Sequence, residues 1–204
     1  MITIIDYGLG NIRAFANVYE RLNIPISVAK TADDLKGARK VILPGVGAFD
    51  RAMGKLDESG MRETLDEIVL VRQVPVLGIC VGMQMLARSS EEGVLPGLGW
   101  IDGTVKKFDV SVFSSKTRLP HMGWNTINPN NGNPLLVSFC SDSRFYFLHS
   151  YYFCCNDQTD TIATTEYGIQ YSSAVNHRNI FGVQFHPEKS HQWGIQLLKN
   201  FAEI

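Results

Sequence analysis

Residues 78–82, GICVG, could present a nucleophile. Cys80 lies between Gly78 and Gly82, directly after the apolar run VPVLGI. A G-x-nucleophile-x-G segment is typical of a sharp strand-to-helix turn, and a thiol at a helix N-terminus is favoured as the thiolate. A shuffled chain of this composition would hold roughly 0.03 such sites. The alternative is a structural cysteine buried in a tight turn.

Residues 182–190, GVQFHPEKS, supply a candidate base for that nucleophile. A residue before proline favours extended backbone, and side chains two apart in an extended chain project to the same side. Glu188 can therefore hold one ring nitrogen of His186 while the other nitrogen faces Cys80, as in a catalytic triad. His-Pro-Glu by itself is more often a surface turn, so the pairing with the cysteine turn carries this hypothesis.

A second glycine-rich turn, in residues 41–50 (VILPGVGAFD), offers backbone amides. Gly45, Val46 and Gly47 follow a predicted strand, and with the amide of Val81 they could bind a developing oxyanion. An ordinary strand-to-helix connection explains these glycines equally well. Residues 6–13, DYGLGNIR, do not predict a dinucleotide site, because Arg13 stands where G-x-G-x-x-G requires its third glycine.

The composition is that of an ordinary globular chain. Its 204 residues suit one domain, 1–204, and 45% are hydrophobic and 19% charged. A net charge of −1 gives no reason to expect nucleic acid or a membrane surface as a partner. Cysteine spacing predicts no metal site, and we expect Cys140, Cys154 and Cys155 to be small buried hydrophobes in a reducing cytoplasm. The N-terminus reads as a strand, not a secretion signal.

The pattern of elements predicts an α/β fold with a mixed sheet. In the first half, strands are predicted at 2–6, 26–30, 40–43 and 74–79, and helices at 11–22, within 47–71 and from 82. After about residue 90 the predicted elements are β-strands and hairpins, within residues 104–108, 144–153, 160–167, 169–175 and 179–185. A final amphipathic helix, 190–204, places Ile195, Leu198 and Phe201 on one face.

Five segments, in chain order, carry a resemblance: LPGVGAF, GICVGMQML, PHMGWN, FLHSYY and GVQFHPEKS. Together they resemble the triad (class I) glutamine amidotransferases, and within them the glutaminase subunits of imidazole glycerol phosphate synthases. The resemblance implies a three-layer fold, with helices on both faces of a mostly parallel sheet and antiparallel strands in the second half, and no cofactor. It also implies hydrolysis of L-glutamine through a cysteinyl thioester, with Cys80 as nucleophile, His186 as acid and base, and Glu188 as its orienter.

The same resemblance assigns the groups that bind glutamine. It makes Gly45, Val46 and Gly47 the oxyanion loop together with Val81. The α-amino and carboxylate groups of glutamine are assigned to four residues: Gln84, His149, Ser150 and Tyr151. Gln84 could instead be an ordinary helix residue, although four residues from Cys80 is one helical turn.

Ammonia released in water is mostly protonated and ceases to be a nucleophile, so it needs a dry path to an acceptor. The resemblance places the acceptor on a (β/α)₈-barrel cyclase subunit, which forms imidazole glycerol phosphate and AICAR in histidine biosynthesis. It implies an interface at Asn11, Trp124 and Lys189, where solvated loops are the alternative. Three other functions stay open: a paralogue serving amidino-sugar synthesis, another triad glutaminase such as that of pyridoxal phosphate synthase, and a non-catalytic regulatory module.

Overall fold

The computed structural model describes residues 1–113, 118–130 and 132–204. The first strands are β1 (Ile2–Ile5), β2 (Ile26–Ala29), β3 (Val41–Gly45), β4 (Val76–Cys80), β5 (Ser89–Ser90) and β6 (Gly103–Lys107). They are followed by β7 (His121–Thr126), β8 (Asn128–Pro129), β9 (Arg144–His149), β10 (Tyr151–Cys155), β11 (Thr161–Tyr167), β12 (Ile169–His177) and β13 (Ile180–Val183). The α-helices are α1 (Ile12–Arg21), α2 (Ala32–Leu35), α3 (Phe49–Glu58), α4 (Arg62–Asp66), α5 (Val81–Gln84) and α6 (His191–Glu203).

The main sheet is mixed, as predicted. Strands β2, β1, β3, β4 and β13 are parallel neighbours in that order. On the far side of β13 the strands β12, β10 and β6 follow with antiparallel pairing, and β11 pairs with β12. The parallel strands β1, β3, β4 and β13 are buried along their whole length, which explains their continuous runs of apolar residues.

Helices cover both faces of this sheet. The chain passes from β1 through α1 to β2, and then back past β1 through α2 to β3. The connection through α1 crosses the sheet in one direction and the connection through α2 crosses it in the opposite direction. Because such crossover connections are right-handed, α1 and α2 lie on opposite faces of the sheet. Helix α6 packs against α1, and α4 packs against α2. The three-layer arrangement follows from this.

The C-terminal helix has the predicted apolar face. Leu198 and Phe201 are fully buried in α6, and Ile195 is half-buried against the core. Among the residues described, no helix is both long enough and apolar enough to cross a membrane.

Two predicted segments are divided more finely in the structure. The helix predicted to start at residue 82 is the short α5, which ends at Gln84, and the amide of Arg88 then pairs with the carbonyl of Gly103. The strand segment 144–153 forms two strands in different sheets, β9 and β10, with Ser150 between them.

The cysteines behave differently from one another. Cys155 is buried as expected, whereas Cys154 is half-buried and Cys140 is exposed. Cys140 lies in a turn in which its carbonyl accepts the amide of Ser143, and this holds it at the surface. The prediction of a buried residue is therefore wrong for Cys140.

Candidate active site

Three adjacent parallel strands bring the candidate residues to one edge of the sheet. Strands β3, β4 and β13 run in the same direction, so their C-terminal ends lie side by side. Gly45 is opposite Cys80 in the register of β3 with β4. Beyond β13 the chain reaches His186 after two more residues. Residues about a hundred positions apart thus meet in one place.

The backbone at Cys80 adopts a conformation that side chains rarely take. Its φ is 56° and its ψ is −113°, and such strain is typical of a nucleophile held at a tight turn. The flanking glycines are required by packing. A Cβ on Gly82 would overlap the carbonyl oxygen of Leu43, and one on Gly78 would lie 2.6 Å from the carbonyl oxygen of Gly82.

His186 is a buried partner for both Cys80 and Glu188. Its Nδ1 lies 3.0 Å from Glu188 Oε1, and the two side chains are only 6% and 3% exposed. Burial is the largest single effect on the pKa of His186 and lowers it, but hydrogen bonds and charge attraction from Cys80 and Glu188 together raise it to about 10. His186 is therefore held as an imidazolium, ready to give up a proton beside the sulfur.

A cavity of about 290 Å³ opens onto the sulfur. Ten of the residues predicted for the site or the interface line it: Val46, Gly47, Cys80, Val81, Gln84, His149, Ser150, Tyr151, His186 and Lys189. Glu188 stands behind His186, and Gly45 is packed beneath the start of α5, where a Cβ would lie 2.8 Å from the carbonyl carbon of Val81. A cavity of this size suits a small amino acid.

Three lining residues had no role assigned from the sequence: Glu92, Pro120 and Leu148. Pro120 and Leu148 lie in the segments PHMGWN and FLHSYY, and Glu92 lies outside all five segments. The Glu92 carboxylate accepts the amide of Phe49 at 2.9 Å, which holds it close to the glycine turn that precedes α3. It places a negative charge at the cavity wall, where a substrate ammonium can pair with it. Glu92 lies in an acidic, Gly-containing turn, and nothing in its local sequence distinguishes it from a solvated residue.

His149 faces the cavity as a neutral side chain. Its Nδ1 lies 2.7 Å from the Tyr151 carbonyl oxygen, which can only accept, so Nδ1 carries the proton. Burial, assisted by the nearby His121 and His186, lowers the pKa of His149 to about 3, although the bond to Tyr151 opposes this. His149 thus shapes the cavity wall at neutral pH and brings no positive charge to it.

A second buried histidine, His121, supports His149 and was not predicted. Its Nδ1 lies 3.2 Å from His149 Nε2 and 3.1 Å from the hydroxyl of Tyr171. Its ring stacks between Phe147 and Tyr167, with centroid distances of 4.7 and 3.8 Å. Burial lowers the pKa of His121 to about 4. The cavity wall therefore rests on a neutral, hydrogen-bonded aromatic cluster.

This cluster should make stability fall in mild acid. Both histidines have folded pKa values below the unfolded value near 6.5. At pH values between the folded and the unfolded pKa, the unfolded chain therefore binds more protons than the folded chain. The contribution of the two neutral histidines to the free energy of unfolding is then fully present above about pH 6.5. It declines towards pH 4, by up to about 1.4 kcal/mol per pH unit for each histidine. In His121→Phe, which keeps the stacking, we expect the difference in unfolding free energy between pH 7 and pH 5 to shrink by about 1–2 kcal/mol. Urea denaturation at both pH values measures this difference in wild type and in the variant. The same difference in both proteins would contradict the prediction.

The predicted interface residues lie on three different elements. Trp124 is 40% exposed on β7, a paired strand and not the loop considered as its alternative; its indole stacks on His191 at 5.2 Å. Lys189 lies over the ring of Tyr146, 5.7 Å from its centre, and Trp124 contacts the same ring. Asn11 is exposed on a different element, at the start of α1. Their interface role stays a prediction.

Within residues 1–113, 118–130 and 132–204, no three His, Cys, Asp or Glu side chains are placed to bind a metal ion.

Comparison with known proteins identifies the family. The model of the family described as "Glutamine amidotransferase class-I" matches residues 3–204. Proteins named imidazole glycerol phosphate synthase subunit HisH from Bdellovibrio bacteriovorus and Leptospira interrogans are 59% and 52% identical over 204 residues, with full coverage of both chains in each case. A crystal structure of a glutamine amidotransferase has a TM-score of 0.75 at 19% identity, covering 99% of this chain and 97% of that one. These matches confirm the predicted fold class. The chain belongs to the class I glutamine amidotransferase family.

Proposed function

We propose that this chain is the glutaminase subunit of an imidazole glycerol phosphate synthase, in histidine biosynthesis. The single observation that carries the proposal is the meeting of Cys80 and His186 at one cavity, with Glu188 bonded to His186 from behind and Cys80 on a strained strand-to-helix turn. Full-length relatives at 59% and 52% identity bear that subunit's name, which supports the choice of pathway. The chain is an enzyme subunit of the glutamine amidotransferase family.

The first half of the reaction makes a thioester. The thiolate of Cys80 attacks the side-chain carbonyl carbon of glutamine, and the carbonyl oxygen takes up the negative charge. The amide of Val81, at the start of α5, and an amide of the glycine turn at Val46 and Gly47 stabilise that oxygen. His186 then donates its proton to the departing nitrogen, so that ammonia leaves and the acyl group stays on the sulfur.

The second half returns the enzyme to its starting state. His186, now neutral, accepts a proton from water as the oxygen of that water attacks the thioester. The C–S bond breaks, glutamate is released, and Cys80 and His186 are again an ion pair. Glu188 holds His186 Nδ1 throughout, so that Nε2 stays directed at the sulfur.

We further propose that a (β/α)₈-barrel cyclase receives the ammonia. The paired strands β7 and β9 expose Met122 and Leu148 opposite each other, and Leu148 also lines the active-site cavity. An exposed apolar pair at the cavity mouth, next to Trp124, suits a partner that covers the mouth and excludes water. Ammonia can then pass to the partner before it is protonated.

Glutaminase activity with and without the partner tests this proposal. We expect the purified chain to hydrolyse L-glutamine slowly, and the rate to rise when the barrel subunit and its bound nucleotide are added. Glutamate release is measured, with the barrel alone as control. Supplying the histidine-pathway nucleotide or an amidino-sugar precursor, each with its own barrel, separates the two pathways. Full activity of the isolated chain, or stimulation only by the sugar-pathway barrel, contradicts the proposal.

A further inference from the structure

Gln184 has no part in the mechanism described so far, although it lies against the nucleophile. It follows β13, two residues before His186, and its relative exposure is 0%. A buried primary amide needs partners for its N–H groups and for its oxygen. The Nε2 atom of Gln184 lies 3.8 Å from Cys80 Sγ, and its Oε1 atom lies 3.1 Å from Gln84 Nε2.

The orientation of both amides is fixed by a backbone carbonyl. Gln84 has its Nε2 atom 3.2 Å from the carbonyl oxygen of Tyr151, and that oxygen can only accept a hydrogen bond. The atom of Gln84 at this position must therefore be its nitrogen. The same nitrogen contacts Gln184, so Gln184 must present its oxygen there. Its NH₂ group is then left to face Cys80.

We propose that Gln184 is a further residue of the active site, which donates an N–H to Cys80 Sγ and sets the orientation of Gln84. An amide donor stabilises a thiolate much more than a thiol, because charge strengthens the hydrogen bond. Both N–H groups of Gln84 are used inside the protein, so its Oε1 is the atom left to accept a hydrogen bond from substrate in the cavity. This inference rests on the proposed function.

Other titratable groups also surround the sulfur and would affect any pH profile of its reactivity. They are His186 with Glu188 behind it, Tyr7, His149, Glu92 and Lys189. None of them hydrogen-bonds to Gln184 in the part of the chain that the structure describes. A change confined to residue 184 therefore isolates its own contribution.

The test is the pH dependence of Cys80 alkylation by iodoacetamide. The tryptic peptide 73–88 contains Cys80 and no other cysteine, so mass spectrometry separates it from the exposed Cys140. In Gln184→Met, which keeps an unbranched side chain but has no N–H, we expect the midpoint of the alkylation profile to rise by about one pH unit. That shift corresponds to about tenfold less thiolate below the midpoint, and we expect kcat to fall about tenfold.

A second variant separates the two contacts of Gln184. Gln184→Glu keeps an oxygen to accept from Gln84 but offers no amide N–H to the sulfur, and its charge repels the thiolate. We expect its alkylation midpoint to rise at least as far as in Gln184→Met. Its KM for glutamine should stay within about threefold of wild type, whereas Gln184→Met should raise KM about tenfold because Gln84 loses its partner.

Ser173→Ala is the matched control. Ser173 is fully buried beside Gln184, its carbonyl accepts the Gln184 amide, and its Oγ has no hydrogen-bond partner among the described residues. We expect wild-type alkylation and kinetics from it. Unchanged alkylation midpoints in both Gln184 variants overturn the proposal, and equal KM increases in both overturn the orientation of Gln84. Because alkylation needs no turnover, unchanged midpoints are distinct from a wild-type chain that lacks glutaminase activity, and the KM comparison is made only once wild-type turnover has been measured.

Discussion

Replacing Cys80 with alanine is expected to abolish glutamine hydrolysis, lowering kcat/KM by at least about 10⁴-fold. The sulfur is the only atom of the protein that bonds to substrate carbon in the proposed mechanism, and His186 and Glu188 act through it. The fold should survive, because the substitution removes one sulfur atom from a cavity wall. That costs about 1 kcal/mol or less, which is a Tm change of about 2–4 °C.

The measurement is glutamate release by the variant in the presence of its partner, together with a thermal melt. Cys140→Ser is the control, since Cys140 is exposed and lies outside the cavity. It should keep full activity. Turnover by Cys80→Ala at more than about one hundredth of the wild-type rate would mean that the triad has been assigned wrongly.

A large loss of stability is expected from Gly82→Ala. An added Cβ would overlap the Leu43 carbonyl oxygen and lie 3.2 Å from the carbonyl carbon of Pro44. These are backbone atoms of β3, so relief requires α5 to move away from the sheet. We expect a loss of about 3 kcal/mol, or a Tm about 10 °C lower, together with loss of activity as Cys80 is displaced.

Gly54→Ala is the matched control for that substitution. Gly54 lies within α3, and a Cβ there meets nothing within 4 Å. Alanine at an unobstructed helix position stabilises by about 0.5–1 kcal/mol, so its Tm should rise slightly. Thermal melts of both variants measure the effect. Equal Tm values for Gly82→Ala and wild type would show that the turn around Cys80 tolerates a side chain.

The parts of the site that could be predicted from sequence are those with a local chemical signature. The glycines around Cys80 reflect a close approach of α5 to β3, and this leaves a pattern in five consecutive residues. His186 and Glu188 are set two apart by Pro187, which again is local.

What could not be predicted depends on contacts between distant segments. Gln184 matters because of Cys80 and Gln84, each about a hundred residues away, and its neighbours in sequence are apolar. His121 is defined by its contacts with His149 and Tyr171. The exposed position of Cys140 depends on a turn with no apolar periodicity. Such features need the packed structure because no local pattern encodes them.

The central claim is that Cys80 is a nucleophile activated within a glutamine-binding cavity. Its most direct test is labelling with a glutamine chloroketone, followed by peptide mapping. In the wild-type protein we expect a single adduct, on peptide 73–88, and excess L-glutamine should block its formation. The His186→Ala variant should form the same adduct more slowly. Labelling spread over Cys140 and Cys154, without protection by glutamine, would contradict the claim.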